Sequence, residues 1–312
     1  MGILIMHNQL PKQGAHVKLT NKFNLPQTFV NVLKRPTYSK GRANISATGL
    51  INSPKIVALT AKHHDELEED VADMVWSLFG SAVHAVLEHG KDDTHLIEER
   101  VHIEIDGWHI SGAIDLQIKN DNSTVSIRDY KTTSAWAVMN EKIEWEQQLN
   151  IYGYLIEKVK GTPIKDLGIV AIIRDWSRRD AASREGYPEA PIKELPIKLW
   201  SMEEREQFIL DRISKHSACE FAMETGEPLP DCTPEEMWEK PAVFAVRKTG
   251  GVRAKSLHES EEEAKQAAEK LGKGYEVEVR PGERSRCANF CSVNTYCQQW
   301  QEYQSRNNHV SE

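Results

Sequence analysis

Three alternating runs joined by two tight turns constrain this chain more than any other feature of its sequence. Val101, Ile103 and Ile105 alternate with polar residues, Asp106-Gly107 follows, and Ile110, Ile114, Leu116 and Ile118 then alternate with Ser111, Ala113, Asp115 and Gln117. A period of two marks a half-buried strand, and Asp-Gly between two such runs marks a two-residue hairpin. A second turn at Asn120-Asp121-Asn122 leads into a third strand over 124–131, in which Asp129 and Lys131 share one face. Asp115 leaves the isoleucine face and is expected to look into a cleft. Two carboxylates and a lysine converging at one sheet edge can hold a divalent metal, activate water and stabilise an attacked phosphodiester. Phosphodiester cleavage is therefore the expected chemistry, against the plainer reading of a lone Asp-x-Lys as a surface ion pair.

Helical stripes flank this meander. Val75, Leu78, Phe79, Ala82, Val83 and Val86 recur at helical spacing, with Asp73 as the expected cap. Gly80, His84 and Glu88 form one stripe of that helix, where glycine permits close backbone approach and a neutral imidazole can complete a metal's coordination. Gln148, Ile151, Tyr152, Leu155 and Val159 form another stripe, which turns Gln148 and Tyr152 toward the sheet. The apolar run 167–173 reads as a central strand.

Gly-x-x-x-His-x-x-x-Glu at 80–88, Gly-x-x-Asp at 112–115, Asp-Tyr-Lys-Thr at 129–132 and Gln-Leu-x-x-Tyr at 148–152 occur in that order. The series resembles the RecB-type exonuclease branch of the PD-(D/E)XK nuclease superfamily, although Ile114 stands where the superfamily's name places proline. The resemblance implies an α/β/α sandwich with a mixed central sheet. It makes His84, Asp115 and Asp129 ligands of Mg²⁺ or Mn²⁺, with the Tyr130 backbone carbonyl as another. Lys131 becomes the group that positions water or stabilises the transition state, and Gln148 and Tyr152 become its support.

The C-terminal part carries a second signal, Cys287-x3-Cys291-x5-Cys297, preceded by Cys232. Three thiols within eleven residues can wrap one metal centre, and a fourth completes it. Spacing alone leaves zinc and iron-sulfur open. Similarity to RecB-type nucleases of the AddB and CRISPR-associated adaptation kinds, and to phage-encoded nucleases with the same terminal cysteines, implies a [4Fe-4S] cluster. Those families place the fourth cysteine before the nuclease core, whereas no cysteine precedes Cys219 here. Cys219 falls on a helix opened by the capping box Ser201-x-x-Glu204, and Cys232 in a loop before Thr233-Pro234, expected to start another helix. A loop thiol at a helix start ionises more readily, so Cys232 is the expected ligand. Between Cys232 and Cys287 the pattern reads as a ββαβ insertion, whose Arg247, Lys248, Arg253 and Lys255 are either nucleic-acid contacts or solvated charges.

The expected organisation is a helical cover over 1–72, a nuclease core over 73–225 and a C-terminal module over 226–312. A formal charge of −8 counts against indiscriminate coating of nucleic acid but suits a metal-holding site. Basic residues still cluster, and Arg35, Arg42, Arg174, Arg178 and Arg179 are the candidate nucleic-acid contacts, with Trp136 and Trp176 as stacking surfaces. The acidic run 65–73 reads as a solvated helix face. No apolar run approaches a membrane span, and residues 1–6 are too short for a signal's apolar region, so a cytoplasmic setting is expected. The resulting expectation is a metal-dependent DNA exonuclease acting on single-stranded ends in phage-type recombination or replication, with a helicase or recombinase as a partner. The alternatives are a non-catalytic nucleic-acid or partner-binding subunit of the same fold and a structure-selective endonuclease.

Overall fold

The structure is a computed structural model and describes residues 18–34, 43–90, 92–140 and 142–308. It divides into two compact units, 1–229 and 230–312. The first unit is built on a six-stranded mixed sheet, β1 (Ile45–Ser46), β2 (His95–Ile105), β3 (Trp108–Lys119), β4 (Val125–Thr133), β5 (Ile164–Ile173) and β6 (Ile192–Ile197). β3 pairs with β1 and β2 and then with β4, which leads on to β5 and β6.

The expected meander is present. Ile105 pairs with Trp108, and Asp106 and Gly107 take φ of 49° and 76°, the left-handed pair that a type I′ hairpin needs. β4 and β5 run parallel, so a long connection must join them, and α3 (Ile143–Lys160) supplies it. Glu144 and Glu146 open this helix, Lys158 and Lys160 close it, and Gly161 ends it at φ +67°, all in keeping with the helix dipole and a left-handed C-cap. β5 is interior to the sheet and apolar throughout its second half, as a strand covered on both faces must be.

Ile110, Ile114, Ile127, Leu149, Leu155, Ile156 and Ile169 are fully buried in one core between the sheet and α3. α4 (Met202–Thr225), opened by the Ser201-Glu204 capping box, adds Ile209 and Ile213. Gly112 lets α3 lie this close: a Cβ there would stand 2.7 Å from Leu155 Cδ1 and 2.9 Å from the Tyr152 ring. Gly112→Ala should therefore destabilise the first unit by about 1–3 kcal/mol through overpacking, read as a lower denaturation midpoint. Gly80 is under no such demand, since a Cβ there would sit 3.4 Å from Thr132 Oγ1, an ordinary contact.

α1 (Val75–Leu87) forms where the periodicity placed it, but none of its side chains is fully buried, and Val75, Trp76, Phe79 and Val86 are exposed. Its N-cap is Met74, without a side-chain hydrogen bond; the Asp73 amide instead donates to the Asp70 carbonyl. The acidic run is not a helix face. Glu68–Asp70 is a strand paired with Lys18–Thr20, and buried Asp70 accepts from Thr20 Oγ1 and from the amides of Lys22 and Ala72.

In the second unit β7 (Val243–Lys248), β8 (Ala254–His258), α5 (Glu261–Leu271) and β9 (Tyr275–Arg280) form the ββαβ insertion, with β7 central and antiparallel to both neighbours. Thr233 caps only one turn, accepting from the Glu236 amide at 3.3 Å, and no helix follows. Arg247 is held internally, by Glu276 at 3.0 Å and by the Gly251 carbonyl at 2.7 Å. Among the described residues no helix is long and apolar enough to cross a membrane.

Candidate active site

Three carboxylates stand side by side on β2, β3 and β4. The register Ile97↔Leu116 and Glu99↔Ile114 puts Glu98 of β2 opposite Asp115 of β3. Continuing Leu116↔Arg128 by one position brings Asp129 of β4 to the other side of Asp115. Like charges facing one another across strands are destabilising unless a cation lies among them. Two cationic side chains do approach: Lys131 Nζ is 2.5 Å from Asp129 Oδ2, and His84 Nδ1 lies 3.0 Å from Glu98 Oε1 and 3.6 Å from Asp115 Oδ1.

Each aspartate has one oxygen pinned and one directed into the site. Asp115 Oδ2 accepts from the Tyr130 amide at 2.8 Å, leaving Oδ1 toward His84. Asp129 Oδ1 accepts from Gln148 Nε2 at 3.0 Å, and the same amide group reaches Tyr152 Oη at 2.8 Å. Asp129 Oδ2 is buried and receives no hydrogen bond of good geometry, so the ammonium of Lys131 is its counter-charge. Gln148 thus joins Asp129 to Tyr152.

The electrostatics follow from this crowding. Burial, and then the charge of Asp129, push the Asp115 carboxyl up to about 7. The His84 imidazole is pushed up to about 9, chiefly by its hydrogen bond with Glu98 and against the cost of burial. Its two nitrogens face oxygens, Glu98 Oε1 and, at 3.2 Å, the Tyr130 carbonyl. A ring that donates through both nitrogens is an imidazolium. His84 Nε2 and the Tyr130 carbonyl, two of the expected metal ligands, thus face one another across the site.

The residues fit a hard divalent cation. Ligand atoms of His84, Glu98 and Asp115 lie within 4.8 Å of one another, and an anionic oxygen set with one imidazole suits Mg²⁺ or Mn²⁺. Glu98 was not among the residues expected from sequence. Its φ of +51° lies in the left-handed region, which costs a non-glycine residue about 1–2 kcal/mol, and the strain falls at the point where β2 faces the site. The hairpin carries the signal that finds it: Glu98 lies eight positions before Asp106, and Asp115 eight beyond Gly107.

Among the basic candidates, Arg174, Arg178 and Arg179 are exposed beyond the end of β5, whereas Arg35 and Arg42 lie outside the described residues. Trp136 is exposed. Trp176 is half-buried, packs with Ala135, Ile173 and Tyr187 and donates its indole hydrogen to the Pro188 carbonyl at 2.8 Å. In the second unit Cys232 and Cys297 are buried and Cys287 and Cys291 half-buried. Burial first, then Cys291, Cys232 and Cys297, push the Cys287 thiol up to about 11. Cys219 lies in the first unit, buried on α4 and lining a cavity with Trp108 and His216.

A mixed sheet covered by helices, with a carboxylate row and an adjacent lysine on neighbouring strands, is the architecture of an α/β nuclease core. Residues 90–298 match the family model of the PD-(D/E)XK nuclease superfamily, more than half of the chain, and the chain belongs to that superfamily. Asp115, Asp129, Lys131, Gln148 and the cysteines fall inside the matched stretch, while His84 precedes it. The solved structure of SSO0001 is similar over 60% of this chain and 82% of its own, with a TM-score of 0.41 and 19% identity. The alkaline exonuclease LHK-Exo from Laribacter hongkongensis is similar over 64% of this chain and 98% of its own, with a TM-score of 0.34 and 11% identity. No curated protein sequence matches the chain.

Proposed function

We propose that this nuclease is a metal-dependent DNA exonuclease of RecB type that hydrolyses single-stranded ends, in a phage-type recombination or replication setting alongside a helicase or recombinase. The observation that carries the reading is the placement of Lys131 beside the free oxygen of Asp129, in a row of three carboxylates that need a cation. Mg²⁺ or Mn²⁺, held by His84, Asp115, Asp129 and the Tyr130 carbonyl with Glu98 beside them, would supply the acidification of water and the neutralisation of phosphate charge. The protein's own groups do the rest. Gln148 and the Tyr130 amide fix the two aspartates, so that little reorganisation is left for the reaction. Lys131 is partly exposed and carries its ammonium to the substrate side, where it orients water and stabilises charge developing on phosphate.

For the second unit the proposed group is a [4Fe-4S] cluster on Cys232, Cys287, Cys291 and Cys297, with zinc as the alternative. The support is that Cys291, Cys232 and Cys297 all lie close enough to Cys287 to disfavour its ionisation, so the four sulfurs share one locality where a metal centre can bind them as thiolates.

One anaerobic preparation tests both parts. The wild type with Mn²⁺ should degrade linear single-stranded DNA and leave circular single-stranded DNA intact; cutting of the circle would establish an endonuclease, and inertness toward both a binding subunit. Iron and sulfide should be present with a visible chromophore that Cys232→Ser loses and Cys219→Ser keeps. A colourless protein with stoichiometric zinc would overturn the cluster.

A further inference from the structure

We infer that the exposed face around the C-terminal ends of β4 and β5 is a base-stacking track for single-stranded DNA with Trp76 and Arg174 as its platform, an inference that rests on the nuclease reading above. Trp76 and Phe79, both on α1, are 54% and 41% exposed, and Trp136 is 61% exposed. Rings of this size left in water at neighbouring places mark a binding surface. Two of them already carry cations: the Arg174 guanidinium carbon stands 4.1 Å from the Trp76 ring centroid, and Lys142 Nζ stands 5.8 Å from that of Trp136.

The topology gathers these groups beside the site. β4 and β5 are parallel neighbours that end together at Thr133↔Ile173. The Arg174 amide donates to the Thr133 carbonyl, and Asp175 accepts from the Ala135 amide, which ties the segment bearing Arg174 to α2 (Ala135–Met139), the helix bearing Trp136. Gly80, between Trp76 and His84 on α1, faces Thr132. Asp129 and Lys131 lie on the same strand, two to four residues before Thr133. Arg178 and Arg179 add exposed positive charge at this end of the sheet. Aromatic and guanidinium planes accept the faces of unpaired bases, and the cations accept phosphates; a duplex hides its base faces and cannot use the platform.

The test is binding of oligothymidylate, of an abasic strand of the same length and of blunt duplex, in EDTA so that nothing is cleaved. Trp76→Ala, which should melt as the wild type does because the ring is exposed, is expected to bind oligothymidylate about tenfold more weakly, with abasic and duplex affinities unchanged. Trp76→Phe should recover most of the loss, and Arg174→Ala should weaken oligothymidylate binding and lower its salt dependence by about one counterion. Wild-type affinity of Trp76→Ala for oligothymidylate, or an equal loss for the abasic strand, would overturn the platform. The catalytic reading fails separately, if the wild type with Mn²⁺ cleaves no linear DNA.

Discussion

Lys131→Met should lower kcat by about a thousandfold while metal affinity stays the same or tightens. Removing one preorganised donor from a water-poor site costs on the order of 10²–10³ in rate. Lys131 has little else to do than serve there. Its ammonium is 2.5 Å from Asp129 Oδ2, and no other carboxylate pairs with it among the described residues. That ammonium and a divalent cation compete for the same oxygen, so methionine, of similar length and without charge, leaves Asp129 more available. Single-turnover cleavage and Mn²⁺ titration of the same preparation separate the two effects. A parallel loss of both would mean that Lys131 holds the site together instead of acting on substrate.

Metal affinity should climb steeply with pH, and the sign follows from which form binds. Both shifted groups bind a cation only after losing a proton: Asp115, pushed up to about 7, and His84, pushed up to about 9. In the metal-free protein below pH ~7 both protons are in place and must be expelled, so affinity rises about a hundredfold per pH unit there. From there to the His84 value only the imidazolium proton remains, and the rise falls to about tenfold per unit. Above that value the dependence flattens. Mn²⁺ titrations across this range should show two breaks and proton release into a weakly buffered solution. Glu98→Gln removes the main cause of the His84 shift and should bring the upper break down toward neutrality. Flat affinity across the range would contradict the protonated site.

The strands of the candidate site were legible because local chemistry and global pairing agree on them. Asp106-Gly107 has only one good use between alternating runs, and once that hairpin is set, Asp115 and Asp129 follow by register. Glu98 stayed hidden because Glu98-Glu99-Arg100 looks like a solvated charge run, and because no propensity of glutamate foretells its positive φ. Gly112 could be read as a motif residue, but its physical task, admitting Leu155 and Tyr152, depends on a helix forty residues away in sequence. The stripe of α1 gave the helix, while its cap is Met74 and not Asp73; periodicity predicts an amphipathic face but does not say what covers it. The acidic run failed for a related reason, since a short strand pairing with Lys18–Thr20 leaves no periodic trace. Thr233-Pro234 carried a genuine capping signal, yet one turn was all that followed.

The most direct measurement compares wild type and Asp129→Ala on end-labelled linear DNA with Mn²⁺, with matched melting temperatures as the control for folding. Asp129 is the residue on which Lys131, Gln148 and the carboxylate row converge. The wild type should release nucleotides and Asp129→Ala should release none above background; cleavage that survives in Asp129→Ala would place the chemistry elsewhere in the molecule.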